Sequence, residues 1–165
     1  IFNLLLMIFQ NRKNYHSFQL TIKEITLTIE LSMTIGLYML TIGSFLGGIW
    51  ANESWGRYWG WDPKETWSLV TILVYTVILH IGYVPGLKGR YLFNALSVIG
   101  FASVLMTYFG VNYYLSGLHS YAAGDPVPIP KFVYYSIAIL FVILVVAWAN
   151  SQKLKNLETA PEEKE

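Results

Sequence analysis

A short stretch at positions 55–67, WGRYWGWDPKETW, concentrates aromatic and charged side chains. It contains four of the six tryptophans, and Gly56 and Gly60 lie between its rings. Glycine lets a backbone pass close to a ligand. The stretch, called the tryptophan segment below, therefore predicts an aromatic shelf for a large planar ligand. The alternative is a belt at the membrane interface, where tryptophan and tyrosine are common.

The second half of the tryptophan segment has the pattern of a helix start. Asp62 falls at the N-cap position, Pro63 at the first helical position and Glu65 at the third, the arrangement called a capping box. Capping is therefore the simpler interpretation of both carboxylates, and contact with a ligand is the alternative.

Two of the three histidines are candidate metal ligands, because imidazole commonly binds haem iron. His80 lies in an apolar run that predicts a spanning helix, where ionisable residues are usually functional. Its alternative role is a hydrogen bond to a neighbouring helix. His119 lies in the sequence GLHSY, and its alternative is an ordinary surface position. His16, in a basic stretch, is predicted to be solvated.

Several kinds of chemistry are excluded by composition. The net charge of +1 gives no reason to expect a nucleic-acid partner. The chain has no cysteine, so it can form neither a disulfide nor a covalent thioether to a cofactor. No pattern of serine, histidine and aspartate suggests a nucleophilic enzyme. Any cofactor would be held non-covalently, and any catalysis would act through positioning.

The elements that position these residues are predicted to be membrane helices. The chain is 55% hydrophobic and 13% charged, with a mean hydropathy of +0.46. Apolar runs occupy residues 1–9, 25–50, 66–84, 91–114 and 132–149. We therefore predict an all-α polytopic integral membrane protein with about four full transmembrane helices, preceded by the tail of another. Residues 1–149 form the membrane domain, which we expect to be truncated at its N-terminus, and residues 150–165 form a polar, disordered cytosolic tail.

The positions of lysine and arginine predict the orientation. Eight of these residues fall on one side of the predicted membrane and three on the other. The larger set is Arg12, Lys13, Lys23, Lys88, Arg90, Lys153, Lys155 and Lys164, and the smaller is Arg57, Lys64 and Lys131. The positive-inside rule places the larger set in the cytosol. The tryptophan segment and the His119 loop then share the outer face, whereas His80 lies about 21 Å of helix away from Thr66, nearer the cytosol.

Two separated motifs resemble one family. WGRYWGWDPKETW resembles the tryptophan-rich WWD signature of the haem-handling proteins of cytochrome c maturation, in the form found in the CcsA (ResC) type. A second stretch, GVNYYLSGLHSY at residues 110–121, resembles the histidine-bearing outer loop of that type. It is called the histidine segment below. The likeness runs from about residue 35 to residue 121.

The resemblance implies a function and site residues. The family carries haem to the outer face of the membrane and joins its vinyl groups to the CxxCH thiols of apocytochrome c. This likeness implies that a b-type haem is bound non-covalently. It implies that His119 is an axial ligand of the iron at an outer site and His80 at an inner site. It also implies that residues of the signature contact the haem. The signature positions are Trp55, Gly56, Trp59, Trp61 and Asp62. Second histidines for both sites are expected upstream of residue 1.

The same resemblance implies partners and a location. We expect apocytochrome c and a CcsB (ResB)-type membrane subunit, fused or separate, in the bacterial cytoplasmic (inner) membrane and in contact with its lipid. Holocytochrome c synthase (haem lyase) activity would then belong to the complex. Two alternatives stay open. One is a haem exporter or chaperone of the CcmC type without attachment activity, and the other is a structural subunit with an interfacial tryptophan belt.

The orientation gives a first testable prediction. Reporter domains fused after Gly124 and after Asn156 should report opposite sides of the membrane, with Gly124 outside and Asn156 in the cytosol. The measurement compares two reporters at each site, namely alkaline phosphatase, which is active outside the cytosol, and green fluorescent protein, which fluoresces in the cytosol. Cytosolic activity of the Gly124 fusion would contradict the orientation.

Overall fold

The computed structural model describes residues 1–117 and 128–159, and the regular structure in these residues is helical. The helices are α1 (Phe2–Phe9), α2 (Tyr15–Trp55), α3 (Pro63–His80), α4 (Arg90–Leu105), α5 (Val111–Tyr114) and α6 (Lys131–Thr159). A 3₁₀ turn at Ile81–Tyr83 extends α3, and a π-helical segment at Met106–Gly110 joins α4 to α5. His119 and the rest of the histidine segment after Gly117 lie outside the described residues.

The predicted fold class is confirmed. Among the described residues, four helical stretches are long and apolar enough to cross a membrane: Tyr15–Trp55, Pro63–Tyr83, Arg90–Tyr114 and Lys131–Asn156. The bundle has two ends. The tryptophan segment lies at one end, called the tryptophan end, and the loop between α3 and α4 lies at the other, called the opposite end.

The first of these helices is longer than the sequence pattern suggested. We expected a polar basic segment at residues 10–23 and a separate apolar helix at residues 25–50. Instead α2 is continuous over 41 residues, or about 61 Å, twice the thickness of a bilayer core. The reason is amphipathicity, because Ile22 is fully buried and Phe18 packs against the same core while Thr21 on the other side is exposed.

A small buried core joins α1 to its neighbours near the opposite end. Leu4 and Met7 of α1 pack with Ile22 of α2 and Ala147 of α6, and each of the four is at most 4% exposed. The described residues of α1, Phe2–Phe9, contact α2 and α6 through this core. The position of α1 between α2 and α6 therefore depends on this packing.

Polar groups at the same level tie three helices together. Asn3 Nδ2 donates to the Asn94 Oδ1 and to the Thr26 hydroxyl, each at 2.9 Å, and to the Ile22 carbonyl at 3.1 Å. Asn94 Nδ2 in turn donates to Thr26 at 2.9 Å and to the Arg90 carbonyl at 2.8 Å. Asn3 and Asn94 are 1% and 2% exposed. Where water is scarce, such amide pairs fix the register between helices.

The expectation of a disordered tail is wrong for residues 150–159. Helix α6 continues to Thr159, because polar and apolar contacts hold its extension against α1. The Asn150 side chain donates to the carbonyls of Met7, Ile8 and Gln10 at 2.8–3.2 Å, and Leu154 is buried. These carbonyls belong to the last turn of α1 and the residue after it, so Asn150 caps that helix. Residues 160–165 lie outside the described part of the chain.

The amide network predicts a large effect on stability. Asn94→Ala should lower the free energy of unfolding by about 1–3 kcal/mol, because it removes one acceptor and two donated hydrogen bonds and leaves the buried Asn3 with fewer partners. The measurement is unfolding of the purified protein in detergent by titration with a denaturing detergent. Ser97→Ala is the control, because the Ser97 hydroxyl donates only to Phe93 within the same helix. Equal effects of the two substitutions would contradict the importance of the network.

Candidate functional site

The capping box predicted at the start of α3 is present. The Lys64 N–H donates to Asp62 Oδ2 at 3.2 Å, and Glu65 Oε2 accepts from the Asp62 N–H at 3.2 Å. The same Glu65 oxygen accepts from the Gly60 N–H at 2.7 Å. The capping interpretation of both carboxylates is therefore confirmed. Glu65 also does more than cap, because it fixes the backbone at Gly60, two residues before the N-cap.

Two residues with positive φ turn the chain between α2 and α3. Gly56 (φ 70°) ends α2 in a left-handed cap, and its N–H donates to the Asn52 carbonyl at 2.8 Å. Trp61 has φ 56°, which is uncommon for a bulky residue and persists only where its neighbours hold it. Glu65 supplies this constraint through the N–H groups of Gly60 and Asp62 on either side. The result is a Trp61 side chain that is 69% exposed.

The aromatic rings do not form the flat shelf that the sequence suggested. Trp50 and Trp55 meet edge to face, with ring centroids 5.1 Å apart and planes at 79°. Trp59 and Trp61 do the same at 5.9 Å and 87°. Such pairs are favoured by the ring quadrupoles. They present several exposed ring faces at steep angles to one another, so the surface is a set of walls rather than one plane.

Gly60 and Gly56 each serve the local backbone in a different way. A side-chain Cβ at Gly60 would lie 2.7 Å from Cζ of the Arg57 guanidinium, so the glycine makes room for Arg57. A Cβ at Gly56 would meet nothing within 4 Å among the described residues, and its positive φ is what requires glycine there. The space beside Gly60 is occupied by the Arg57 side chain in this structure, and the role of the glycines beneath a planar ligand stays a prediction.

Trp59 has an unused hydrogen-bond donor. Its Nε1 atom is buried and has no partner within the described part of the chain. A buried polar group without a partner destabilises a protein by about 1–3 kcal/mol. The donor is therefore available to an acceptor that binds between the walls, although the Trp59 ring as a whole is only half-buried.

The structure brings the start of the histidine segment onto the tryptophan segment. Gly117, two residues before His119, packs directly on the N-cap of α3. A Cβ at Gly117 would lie 2.8 Å from Cδ of Pro63 and would clash with Oδ1 of Asp62. Near the start of the same segment, Lys64 Nζ donates to Asn112 Oδ1 at 3.1 Å. The expectation that the two segments meet in space is confirmed at these contacts.

The π-helical segment explains how Asn112 comes to face Lys64. Ser103, Thr107 and Asn112 are spaced by four and then five residues. A π turn pairs residues five apart, so all three can lie on one face of the α4–α5 stretch. Thr107 donates to the Trp67 carbonyl at 3.1 Å and lies 2.9 Å from the Thr71 hydroxyl. Sequence reasoning missed Thr107 and Asn112, although two polar residues within an apolar run were the available signal.

His80 lies at the opposite end of the bundle. It is the last residue of α3, just before the 3₁₀ turn, and it is exposed. Its Nδ1 is 2.7 Å from the Thr76 carbonyl. A carbonyl can only accept, so Nδ1 carries a hydrogen and, in the neutral ring, Nε2 keeps the lone pair that binds metals. The Tyr83 ring is 5.9 Å away.

The site has no ready-made metal cluster. In residues 1–117 and 128–159, no group of three or more histidine, cysteine, aspartate or glutamate side chains could hold a metal ion. Of the two predicted iron ligands, His80 is described and stands apart from the tryptophan segment by the length of α3, while His119 lies outside the described residues. Trp55, Gly56, Trp59, Trp61 and Asp62 do lie together.

Comparison with known proteins agrees with these features. Residues 1–119 match a family model described as cytochrome C assembly protein. The chain is 65% identical over 99 residues to Protein NrfI of Wolinella succinogenes. These aligned residues make up 60% of this chain and 11% of that protein. The chain is 48% identical over 87 residues to the cytochrome c biogenesis protein CcsA of Gloeobacter violaceus, covering 53% and 25% of the two chains.

More distant relatives match a longer part of the chain. The cytochrome c biogenesis protein CcsA of Hordeum vulgare is 40% identical over 117 residues, which cover 70% of this chain and 35% of that one. The chain thus spans between 11% and 40% of the length of the curated relatives it matches. The family model covers well over half of the 165 residues, and it includes the tryptophan segment, its capping box and the described part of the histidine segment. The chain therefore belongs to the cytochrome c assembly protein family.

Proposed function

We propose that this chain is the part of a cytochrome c maturation protein that holds haem at the tryptophan end of the bundle for attachment to apocytochrome c. One observation carries the proposal, namely the packing of Gly117 on Asp62 and Pro63. That contact fixes the origin of the His119 loop at the edge of the aromatic walls. Two residues of extended chain span at most about 7 Å, which is the basis for proposing that the His119 imidazole binds a ligand lying against those walls.

The residues present fit a flat, largely apolar cargo with polar edges. The exposed faces of Trp55, Tyr58 and Trp61 offer apolar contact, and the buried Trp59 N–H offers one donor. Arg57, held against Gly60, is a cation at the same place and suits a carboxylate. Haem combines a planar ring system with carboxylates and an iron that accepts imidazole. When bound, it supplies the vinyl groups to which thiols add.

This chain would contribute position rather than reactive groups. It has no cysteine, so the thiols must come from apocytochrome c. Its work would be to bind haem non-covalently, to cover one face of the iron through His119, and to hold the reacting edge toward the partner. A CcsB (ResB)-type subunit would complete the site, and any haem lyase activity would belong to the assembled complex.

The position of His80 favours a second haem-binding site at the opposite end. Its Nε2 lone pair is available, and the Thr76 carbonyl orients the ring as a hydrogen-bonded second group orients many metal-bound histidines. We propose that His80 receives haem from the cytosolic side. About 27 Å of helix separates the two ends of α3, so the two histidines serve separate positions.

The proposal for the outer site is tested by His119→Ala in the full-length protein. We expect most bound haem to be lost, and added imidazole to restore part of it, because a small free ligand can fill the place of the missing side chain. The measurement is haem content and the Soret spectrum of the purified protein. His16→Ala is the matched control, since it removes an exposed histidine at the opposite end. Unchanged haem content and spectrum in His119→Ala would contradict the proposal.

A different phenotype is expected for His80→Ala. The substitution should lower haem occupancy and cytochrome c output, while the haem that remains keeps its normal spectrum, because the outer ligands are untouched. Alanine favours a helix, so α3 should persist. The two readouts are spectra of the purified protein and covalent haem staining of a co-expressed reporter cytochrome c. Unchanged haem occupancy and unchanged cytochrome c output at normal protein levels would show that His80 has no role in haem transfer.

A reporter cytochrome also separates delivery from attachment. If the full-length protein and its partner subunit bind haem but the CxxCH reporter stays unmodified, the protein is a haem chaperone rather than an attachment site. If no Soret band appears at all, the tryptophans serve only as an interfacial belt.

A further inference from the structure

A second cavity lies at the opposite end of the bundle, away from the tryptophan segment. It has a volume of about 230 Å³ and is open on one side. Its walls come from α2, from the end of α3 and its 3₁₀ turn, and from the loop and first turns that lead into α4. None of the candidate haem contacts lines it, although Leu79 and Ile81 on either side of His80 do.

The cavity contains charges of both signs. Glu30 comes from α2, and Lys88 and Arg90 come from the start of α4 and the loop before it. Within residues 1–117 and 128–159, neither cation forms an ion pair with Glu30. Arg90 Nη1 donates to Gln19 Oε1 at 2.6 Å, which holds the guanidinium at the rim and leaves its other donors unused.

Glu30 is an unusual residue for its position. It is the one acidic side chain within the apolar run of residues 25–50, and it is exposed at the level of the loop between α3 and α4, where it can meet a lipid head group. Its surroundings in the cavity are partly apolar, with Leu79 and Phe93 among the lining residues. The N-terminus of α4 at Gly89 has no side-chain cap and adds positive potential on the side of the two cations.

The cavity is too small to enclose a whole haem. Sites for drug-sized ligands have volumes of about 300–1,000 Å³, and this cavity is smaller than the lower limit. The occupant should therefore be a small polar group with an anion and a cation, attached to an apolar part. A phosphate fits Lys88 and Arg90, and an ammonium fits Glu30.

We propose that this cavity binds the head group of an aminophospholipid such as phosphatidylethanolamine. The phosphate lies between Lys88 and Arg90, the ammonium donates to the Glu30 carboxylate, and the first acyl carbons follow Leu79 and Phe93 into the membrane. The charges of the cavity should distinguish phosphatidylethanolamine from two other phospholipids. Phosphatidylglycerol lacks the cation, and phosphatidylcholine has a cation with no N–H to donate.

The test is native mass spectrometry of the purified full-length protein with equal amounts of phosphatidylethanolamine, phosphatidylglycerol and phosphatidylcholine of identical acyl chains. We expect phosphatidylethanolamine to be retained about three- to tenfold more than either of the others, since one charge-assisted hydrogen bond distinguishes it. Glu30→Gln should abolish this preference and leave phosphatidylglycerol binding unchanged. Lys88→Gln should weaken both phosphatidylethanolamine and phosphatidylglycerol.

Matched control variants test whether the effects depend on the charges in the cavity. Glu24→Gln and Lys13→Gln remove exposed charges of the same kinds outside the cavity and should change nothing. Wild-type-like elution in size-exclusion chromatography shows that each variant is folded. Soluble O-phosphoethanolamine at equal concentration should not displace the lipid, because it lacks acyl chains, and displacement would identify a site for a free head group instead. Equal retention of the three lipids by the wild type, or an unchanged preference in Glu30→Gln, would overturn the proposal.

Discussion

The first turn of α3 has backbone N–H groups that no helical carbonyl can satisfy, and the tryptophan end depends on how they are paired. Asp62 accepts from Lys64, and Glu65 accepts from both Asp62 and Gly60. One carboxylate thereby holds the N–H groups on either side of Trp61. This constraint lets a bulky residue keep a positive φ and turns its ring outward. The same N-cap is the surface on which Gly117 rests.

The contact between Gly117 and Asp62 works only with a residue that has no Cβ. The histidine segment must also come back to this point from the far end of a spanning helix. A π-helical segment at Met106–Gly110 sets the direction in which the following residues point, because it carries one extra residue per turn. It keeps Asn112 on the face that meets Lys64. The proposed function and the fold therefore depend on the same few atoms at the start of α3. A substitution there would disturb capping, ring orientation and loop position together.

The opposite end of the bundle is held by a different kind of interaction. Asn3, Thr26 and Asn94 form a buried hydrogen-bonded network, and Asn150 closes the last turn of α1. Exposed apolar side chains cover much of α2 and α6, as expected for helices that face lipid or further protein. The mixed-charge cavity beside Glu30 lies at this end. The two ends thus have separate chemistry, with aromatic walls at one and, at the other, an amide network and a cavity lined by charges of both signs.

The sequence by itself determined the class of protein, the number of spanning helices, the capping box at Asp62 and the family likeness. These follow from local quantities, namely apolar run length, N-cap spacing and a short motif. It misjudged the lengths of α2 and α6, because Ile22 and Leu154 stabilise polar helical extensions only through partners that are distant in sequence. The angles between the rings and the position of Arg57 over Gly60 also could not be read from spacing. Only the tertiary structure brought Gly117 onto Asp62 and Asn3 onto Asn94, because such contacts depend on how whole helices pack.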